Sequence, residues 1–113
     1  MLIRFKPGVS VDLAHDRMLD GLAYLSRLIE ATMRVTHITV TSWSDGVHKV
    51  GSLHGVGAAV DVRCKIYKPE QVETVVRAFK AWDVKREYDL IWESKGQPNE
   101  HLHLEYDPKH TNG

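Results

Sequence analysis

The stretch GSLHGVGAAVDV, residues 51–62, places an aspartate inside a run of small apolar residues. We predict a strand over 57–64, and successive side chains of a strand point to opposite faces. Asp61 then shares one face with Ala59 and Arg63, opposite a face of alanine and valine. A carboxylate buried in such a strand needs a polar partner or a metal to offset its desolvation.

The sequence HLHLEYD, residues 101–107, alternates polar and apolar residues and predicts another strand. Its polar face carries His101, His103 and Glu105, while leucines and a tyrosine occupy the other face. If this strand lies beside the first one, Asp61 and His103 meet on the polar face. The last strand therefore offers the carboxylate an imidazole partner.

A third donor is expected from His54, in the loop that precedes the strand of Asp61. With His103, this gives two imidazoles and a carboxylate with a fourth position left open, which is typical of catalytic zinc sites. The small residues after His54 leave room for a backbone that passes close to a metal. The same spacings permit a simpler arrangement, in which Asp61 forms a salt bridge with Arg63 or Arg86 and the histidines are surface residues.

The rest of the chain predicts helices and further strands. An apolar stripe at helical spacing indicates a first helix over about 11–33, with Ser10 as its N-cap. Pro69 is expected to open a second helix that ends near Trp82. Strands are predicted at 36–42, 57–64, 86–93 and 101–107. The predicted fold class is therefore α+β, a small antiparallel sheet backed by helices.

Length, charge and cysteine content limit the classes of function. The chain has 113 residues, enough for a single domain, which we place at 1–107 with a tail at 108–113. Its 15 basic and 15 acidic residues balance, so neither nucleic acid nor a membrane is an expected partner. The single cysteine excludes an internal disulfide. The start, MLIRFKPGV, lacks the apolar segment of a secretory signal, so we expect synthesis in the cytoplasm. Action outside the cell would then need a separate partner that releases the protein. We also expect the protein to be a monomer.

Both decisive stretches resemble motifs of a known family. SLHGVGAAVDV is similar to the SxHxxGxAxD signature of the M15 family of zinc D-Ala-D-Ala peptidases, which includes phage endolysin peptidases. PNEHLHLEYD resembles its closing motif, with a glutamate three residues before the last zinc histidine. ESK at 93–95 and HLH at 101–103 resemble motifs of the hedgehog signalling domain, which shares this fold. The resemblance implies a hedgehog/DD-peptidase fold and one zinc ion held by His54, Asp61 and His103.

The resemblance also implies catalytic roles. Glu100, three residues before His103, matches the general base of the peptidases. Glu93 matches the active-site glutamate of the hedgehog domain and is the competing base. His48 and His101 are implied to stabilise the reacting oxyanion or contact the substrate, because positioned donors at a developing oxyanion contribute strongly to such chemistry.

One motif departs from the family. M15 carboxypeptidases usually carry SGYR or a close relative before the first zinc ligand, and its arginine helps to bind the substrate. Here TSWSDG places Trp43 and Ser44 at the tyrosine and arginine positions. Trp43 is thus a candidate substrate-binding residue. The missing arginine leaves room for an endopeptidase that cuts cross-links, beside a D-Ala-type carboxypeptidase.

The resemblance implies a zinc metallopeptidase that hydrolyses peptide bonds of bacterial peptidoglycan, in the setting of a bacteriophage or prophage lysis protein. The main alternative is a non-catalytic zinc-binding interaction module of hedgehog-like fold. A virion structural component that retains the fold is a further alternative. A cysteine hydrolase built on Cys64 ranks last, because no histidine partner is evident near that residue in the sequence.

Overall fold

The computed structural model describes residues 2–9, 16–43 and 58–108. The elements are, in chain order, β1 (Leu2–Phe5), α1 (Asp16–Met33), β2 (His37–Ser42), β3 (Ala59–Arg63), α2 (Pro69–Trp82), β4 (Tyr88–Glu93) and β5 (His101–Tyr106). The strands form a five-stranded sheet in the order β1-β2-β3-β5-β4. Every neighbouring pair is antiparallel except β1 and β2, which run parallel. The predicted α+β class, with a mostly antiparallel sheet and helices, is confirmed.

The helices supply the apolar surface that the sheet needs. The stripe predicted for α1 is buried at Met18, Leu22, Leu25 and Ile29. Helix α2 buries Val72, Val75 and Phe79. Both helices contact the sheet, and the apolar strand residues in the same core are Ile38, Val40, Val60, Val62, Tyr88, Leu90, Leu102 and Leu104. Since each fully buried side chain of this kind stabilises the fold by about 1.5–3 kcal/mol, one face of the sheet is committed to the core.

The turn between α2 and β4 is fixed by Asp83. Its backbone N–H donates to the carbonyl of Phe79 over 3.0 Å and ends the helix. Its carboxylate accepts hydrogen bonds from the backbone N–H groups of Glu87 and Tyr88, each at 2.9 Å. Strand β4 therefore starts from a defined point, and its alternation places Asp89, Ile91 and Glu93 on the face away from the core.

Strand register determines which polar residues become neighbours. Asp61 of β3 lies directly opposite His103 of β5. Glu93 of β4 lies opposite His101 of β5. The predicted pairing of the Asp61 strand with the His103 strand, β3 with β5, is confirmed. The polar side chains collect on the face of the sheet that the helices do not cover.

Candidate metal centre

Four side chains converge on the polar face of β3, β4 and β5: Asp61, Glu93, His101 and His103. One potential ligand atom from each lies within 4.8 Å of every other. The side chains of His103, His101 and Asp61 are only 12%, 15% and 18% exposed, whereas that of Glu93 is 44% exposed. We call this set the candidate metal centre.

The ring of His103 lies between two carboxylates. Its Nδ1 is 2.7 Å from Oδ1 of Asp61, and its Nε2 is 2.8 Å from Oε1 of Glu105. Carboxylates accept hydrogen bonds, so a neutral imidazole satisfies only one of these contacts as a donor. With the proton on Nε2 and donated to Glu105, the Nδ1 lone pair points to the centre.

His101 also has one ring nitrogen facing the centre and one held outside it, but here Nε2 faces the centre and Nδ1 is held outside. Its Nδ1 lies 2.8 Å from the carbonyl oxygen of Asn99, which only accepts, so Nδ1 carries the proton. Its Nε2 lies 2.9 Å from Oε1 of Glu93 and 3.6 Å from Oδ1 of Asp61. A neutral ring therefore directs a lone pair at two carboxylates.

Lone pairs and carboxylates that face one another require a proton or a metal cation between them. Histidines that bind metals usually donate their other N–H to a carboxylate or a carbonyl, as His103 does to Glu105 and His101 to Asn99. Zinc bonds of 2.0–2.1 Å separate tetrahedral ligands by about 3.3 Å. Contacts of 2.7, 2.9 and 3.6 Å lie near that spacing, and no two ligand atoms of the centre are more than 4.8 Å apart. The donor set thus fits a divalent cation.

Electrostatics of the protonated centre favour a charged His103. Burial alone lowers the pKa of its ring, but hydrogen bonds to Asp61 and Glu105 outweigh burial. Together with the nearby charge of Glu93, they raise the pKa of His103 to about 9. A proton thus occupies this ring at neutral pH when no metal competes for it.

Glu100 is not a member of the centre. Its Oε2 accepts hydrogen bonds from Nε1 of Trp92 at 2.6 Å and from the Cys64 thiol at 3.8 Å, and its Oε1 accepts from the N–H of Gly96 at 3.1 Å. Burial opposes its ionisation, but these bonds prevail and the pKa of Glu100 lies below its ordinary value. Its assignment as the base stays a prediction.

The placement of the Glu100 side chain outside the centre could have been inferred from strand periodicity. Glu100 directly precedes β5, and its odd spacing from His103 gives it the same parity as the buried Leu102 rather than that of the ligand. By the same rule Glu105 shares a face with His103, and its contact with that ring was not assigned from the sequence.

The other predicted site residues have different surroundings. Trp43 is 1% exposed and stacks on Phe5 with ring centroids 6.4 Å apart, which is a packing role and gives its predicted substrate contact no support. His48 and His54 lie outside the described residues. Burial, followed by the charge of Glu100, raises the pKa of the Cys64 thiol to about 12, so this cysteine is a poor nucleophile.

No protein-family model matches the chain, and no curated protein matches it either. Within the described residues, no helix has both the length and the apolar character needed to cross a membrane. The structure therefore establishes a small α+β domain that carries a candidate metal-binding group of two histidines, an aspartate and a glutamate.

Proposed function

We propose that this chain is a zinc metallopeptidase of hedgehog/DD-peptidase type that hydrolyses peptide bonds of the bacterial cell wall. The observation that carries the proposal is the convergence of two imidazole lone pairs and two carboxylates, with the outer nitrogens of both rings held by Asn99 and Glu105. The two motif resemblances support the choice of reaction.

In this proposal Asp61 and His103 bind the metal together with His54, which lies outside the described residues. When bound, zinc would supply a nucleophilic hydroxide near neutral pH and polarise the scissile carbonyl. Glu105 positions the ring of His103 by accepting its Nε2 proton over 2.8 Å. His101 also belongs to the centre; Asn99 holds its Nδ1–H, and its Nε2, when protonated, would donate to the carbonyl oxygen of the substrate.

Glu93 is the better-supported base. Its carboxylate belongs to the centre, hydrogen-bonds to His101 and is 44% exposed, so it can reach a water molecule and a leaving amine. It would take a proton from the attacking water and return it to the amine nitrogen as the peptide bond breaks. Glu100 is less suited to this role, because Trp92, Gly96 and Cys64 already engage its oxygens.

A non-catalytic zinc module is the second candidate, and one observation favours it. Asp61, Glu93, His101 and His103 could together fill all positions of a tetrahedral ion, and closed coordination is typical of structural zinc. The two functions differ at His54. A peptidase needs this residue as a ligand, whereas a closed site formed by the described residues does not.

The proposal is tested by metal content and by muropeptide cleavage. We expect one zinc per chain by mass spectrometry. We expect Asp61→Asn and His103→Gln to weaken zinc binding by more than the 10–100-fold that loss of a ligand's hydrogen-bond partner costs, because each removes a ligand itself. His37→Gln, on β2 outside the centre, is the matched control and should bind zinc as the wild type does.

Muropeptides incubated with the zinc-loaded chain should lose mass at a peptide bond, and His54→Ala should abolish both zinc binding and cleavage. Full zinc binding by His54→Ala, without cleavage by the wild type, would establish the closed structural site instead. Zinc binding that survives both Asp61→Asn and His103→Gln would contradict the site itself.

A further inference from the structure

A cavity of about 410 Å³ opens directly beside the candidate metal centre. Asp61 and His101 of the centre form part of its wall, and Lys6 and Arg63 contribute two cations. Thr41 and Ser42, Pro98, Asn99 and Glu100 complete the lining. The cavity is thus bounded by donors of the centre and also by positive charge.

Strand register places Arg63 close to the centre. Arg63 lies directly opposite His101 in the β3–β5 pair, and such cross-strand partners have Cβ atoms about 4.5–5.5 Å apart. It also stands two residues after Asp61 on the same face of β3, a spacing of about 7 Å along a strand. The backbone position of Arg63 is therefore the next one on the same face of β3 after Asp61, whose carboxylate would hold the metal.

Lys6 approaches from the other side of the cavity. Its backbone N–H donates to the carbonyl of Val40 over 2.9 Å, which fixes the end of β1 against β2. Ser42, a further lining residue, is the register partner of Asp61. Over residues 2–9, 16–43 and 58–108, neither the Lys6 ammonium nor the Arg63 guanidinium makes a hydrogen bond or an ion pair. Both groups are available to an anion.

We propose that Lys6 and Arg63 form a subsite for the free C-terminal carboxylate of a peptide substrate. The inference rests on the proposed peptidase function and specifies its substrate class. A guanidinium binds a carboxylate through paired N–H···O bonds of about 2.8 Å. Because both cations line the same cavity as Asp61 and His101, a carboxylate bound to them lies in the cavity beside the centre.

This geometry places the C-terminal residue of the substrate between the metal centre and the cations. The bond that lies at the centre is then the last peptide bond of the chain, so the products are a shortened peptide and a free amino acid. The subsite thus selects peptide bonds whose leaving residue carries a free carboxylate over bonds within a continuing chain, where that carboxyl group is itself an amide.

The test compares N-acetyl-D-alanyl-D-alanine with its C-terminal amide. With the zinc-loaded full chain at low salt, we expect kcat/KM to be about 10-fold or more higher for the acid, because a charge-assisted hydrogen bond is lost with the amide. The preference should fall to about 1 in the double variant Lys6→Gln/Arg63→Gln. It should persist in Arg77→Gln, an exposed cation of α2 outside the cavity.

Binding of the same two compounds to the full chain without added metal, measured by NMR titration, separates this inference from the proposed function. Preference for the acid that depends on Lys6 and Arg63, with no cleavage after zinc loading, supports the subsite and refutes the peptidase. Equal cleavage of acid and amide, or a preference that the double variant retains, overturns the subsite and leaves the peptidase intact.

Discussion

Glu93 belongs to the candidate metal centre, and Glu100 and Glu105 lie within three residues of His103 along the sequence, but the three carboxylates have different partners. Glu93 contacts His101 and Glu105 contacts His103 on the polar face. Glu100 instead accepts hydrogen bonds from Trp92 and from the turn that joins β4 to β5. The β4–β5 hairpin therefore holds chemically identical side chains in different roles, two beside the histidines of the polar face and one in the turn.

This division predicts opposite effects of the same substitution. Glu93→Gln should keep zinc and lower the cleavage rate by about 10²–10⁴-fold, because the amide cannot take up the proton. Glu100→Gln should keep most activity but lower the free energy of unfolding by about 1–3 kcal/mol, because its amide nitrogen would face donors of Trp92, Gly96 or Cys64.

Kinetics and denaturant unfolding of both variants provide the measurement. Loss of cleavage in Glu100→Gln at unchanged stability would identify Glu100 as the base, as the peptidase motif implies. The comparison decides between the two glutamates that the sequence left in competition.

At the scale of elements, local patterns specified most of the fold. The helix predicted from Pro69 to Trp82 has these bounds in the structure, because proline at its start and an apolar stripe are both local features. The first helix is described from Asp16 onward, and its predicted start lies outside the described residues. Strand β1 was not predicted, because four mostly exposed residues carry no alternation and become a strand only by pairing with β2.

The contacts of the candidate metal centre could be predicted only where the pairing of the strands that carry them could be predicted. Alternation in β3 and β5 predicted that Asp61 and His103 would share the polar face if the two strands paired, and the register places them directly opposite each other. The contact of Glu93 with His101 depends on the register of the β4–β5 pair, which no local pattern specifies. Lys6 reaches the cavity only through the parallel β1–β2 pairing, a non-local contact that the sequence did not reveal.

Packing between α1 and β4 gives a prediction at this scale. A Cβ added at Gly21 of α1 would lie 2.5 Å from Cε1 of Tyr88, whose ring is buried and whose hydroxyl donates to the carbonyl of Arg17. Gly21→Ala should therefore destabilise the protein by about 1–3 kcal/mol despite the better helix propensity of alanine.

Thermal or denaturant unfolding tests this expectation, with Glu30→Ala on the exposed side of α1 as the matched control. A stabilised Gly21→Ala variant would show that Tyr88 moves without cost. The variant should bind zinc normally, because Gly21 is remote from the polar face.

Across the whole molecule, the sheet separates an apolar face under two helices from a face rich in titratable groups. The balanced overall charge conceals this asymmetry. Asp61, Glu93 and Glu105 surround His103 on the polar face, together with His101. The stability of the folded chain is therefore linked to the protonation of this centre.

We expect the metal-free protein to lose stability as the pH rises. The pKa of His103 is about 9 in the folded state, against 6.5 for the free side chain, so its stabilisation is complete below pH 6.5 and disappears as the pH passes 9. The melting temperature should fall by roughly 5 °C or more across this interval. Scanning calorimetry at several pH values measures the change.

His103→Gln should remove most of this pH dependence, since the titrating ring is gone. A chain saturated with zinc should lack it as well, because metal ligands bind in their deprotonated form. A melting temperature that stays constant or rises between pH 6.5 and 9 in the metal-free wild type would contradict the assignment.

If the proposed metal binding holds, the direct opposition of Asp61 and His103 across β3 and β5 would make metal uptake a reporter of correct folding. A slip of one residue in this pairing would turn both histidines of β5 towards the helices and expose the two leucines between and after them. A chain with this shifted register would then fail to bind the ion and would expose an apolar surface. Under the proposed metal binding, metal content would thus distinguish correctly paired molecules from slipped ones.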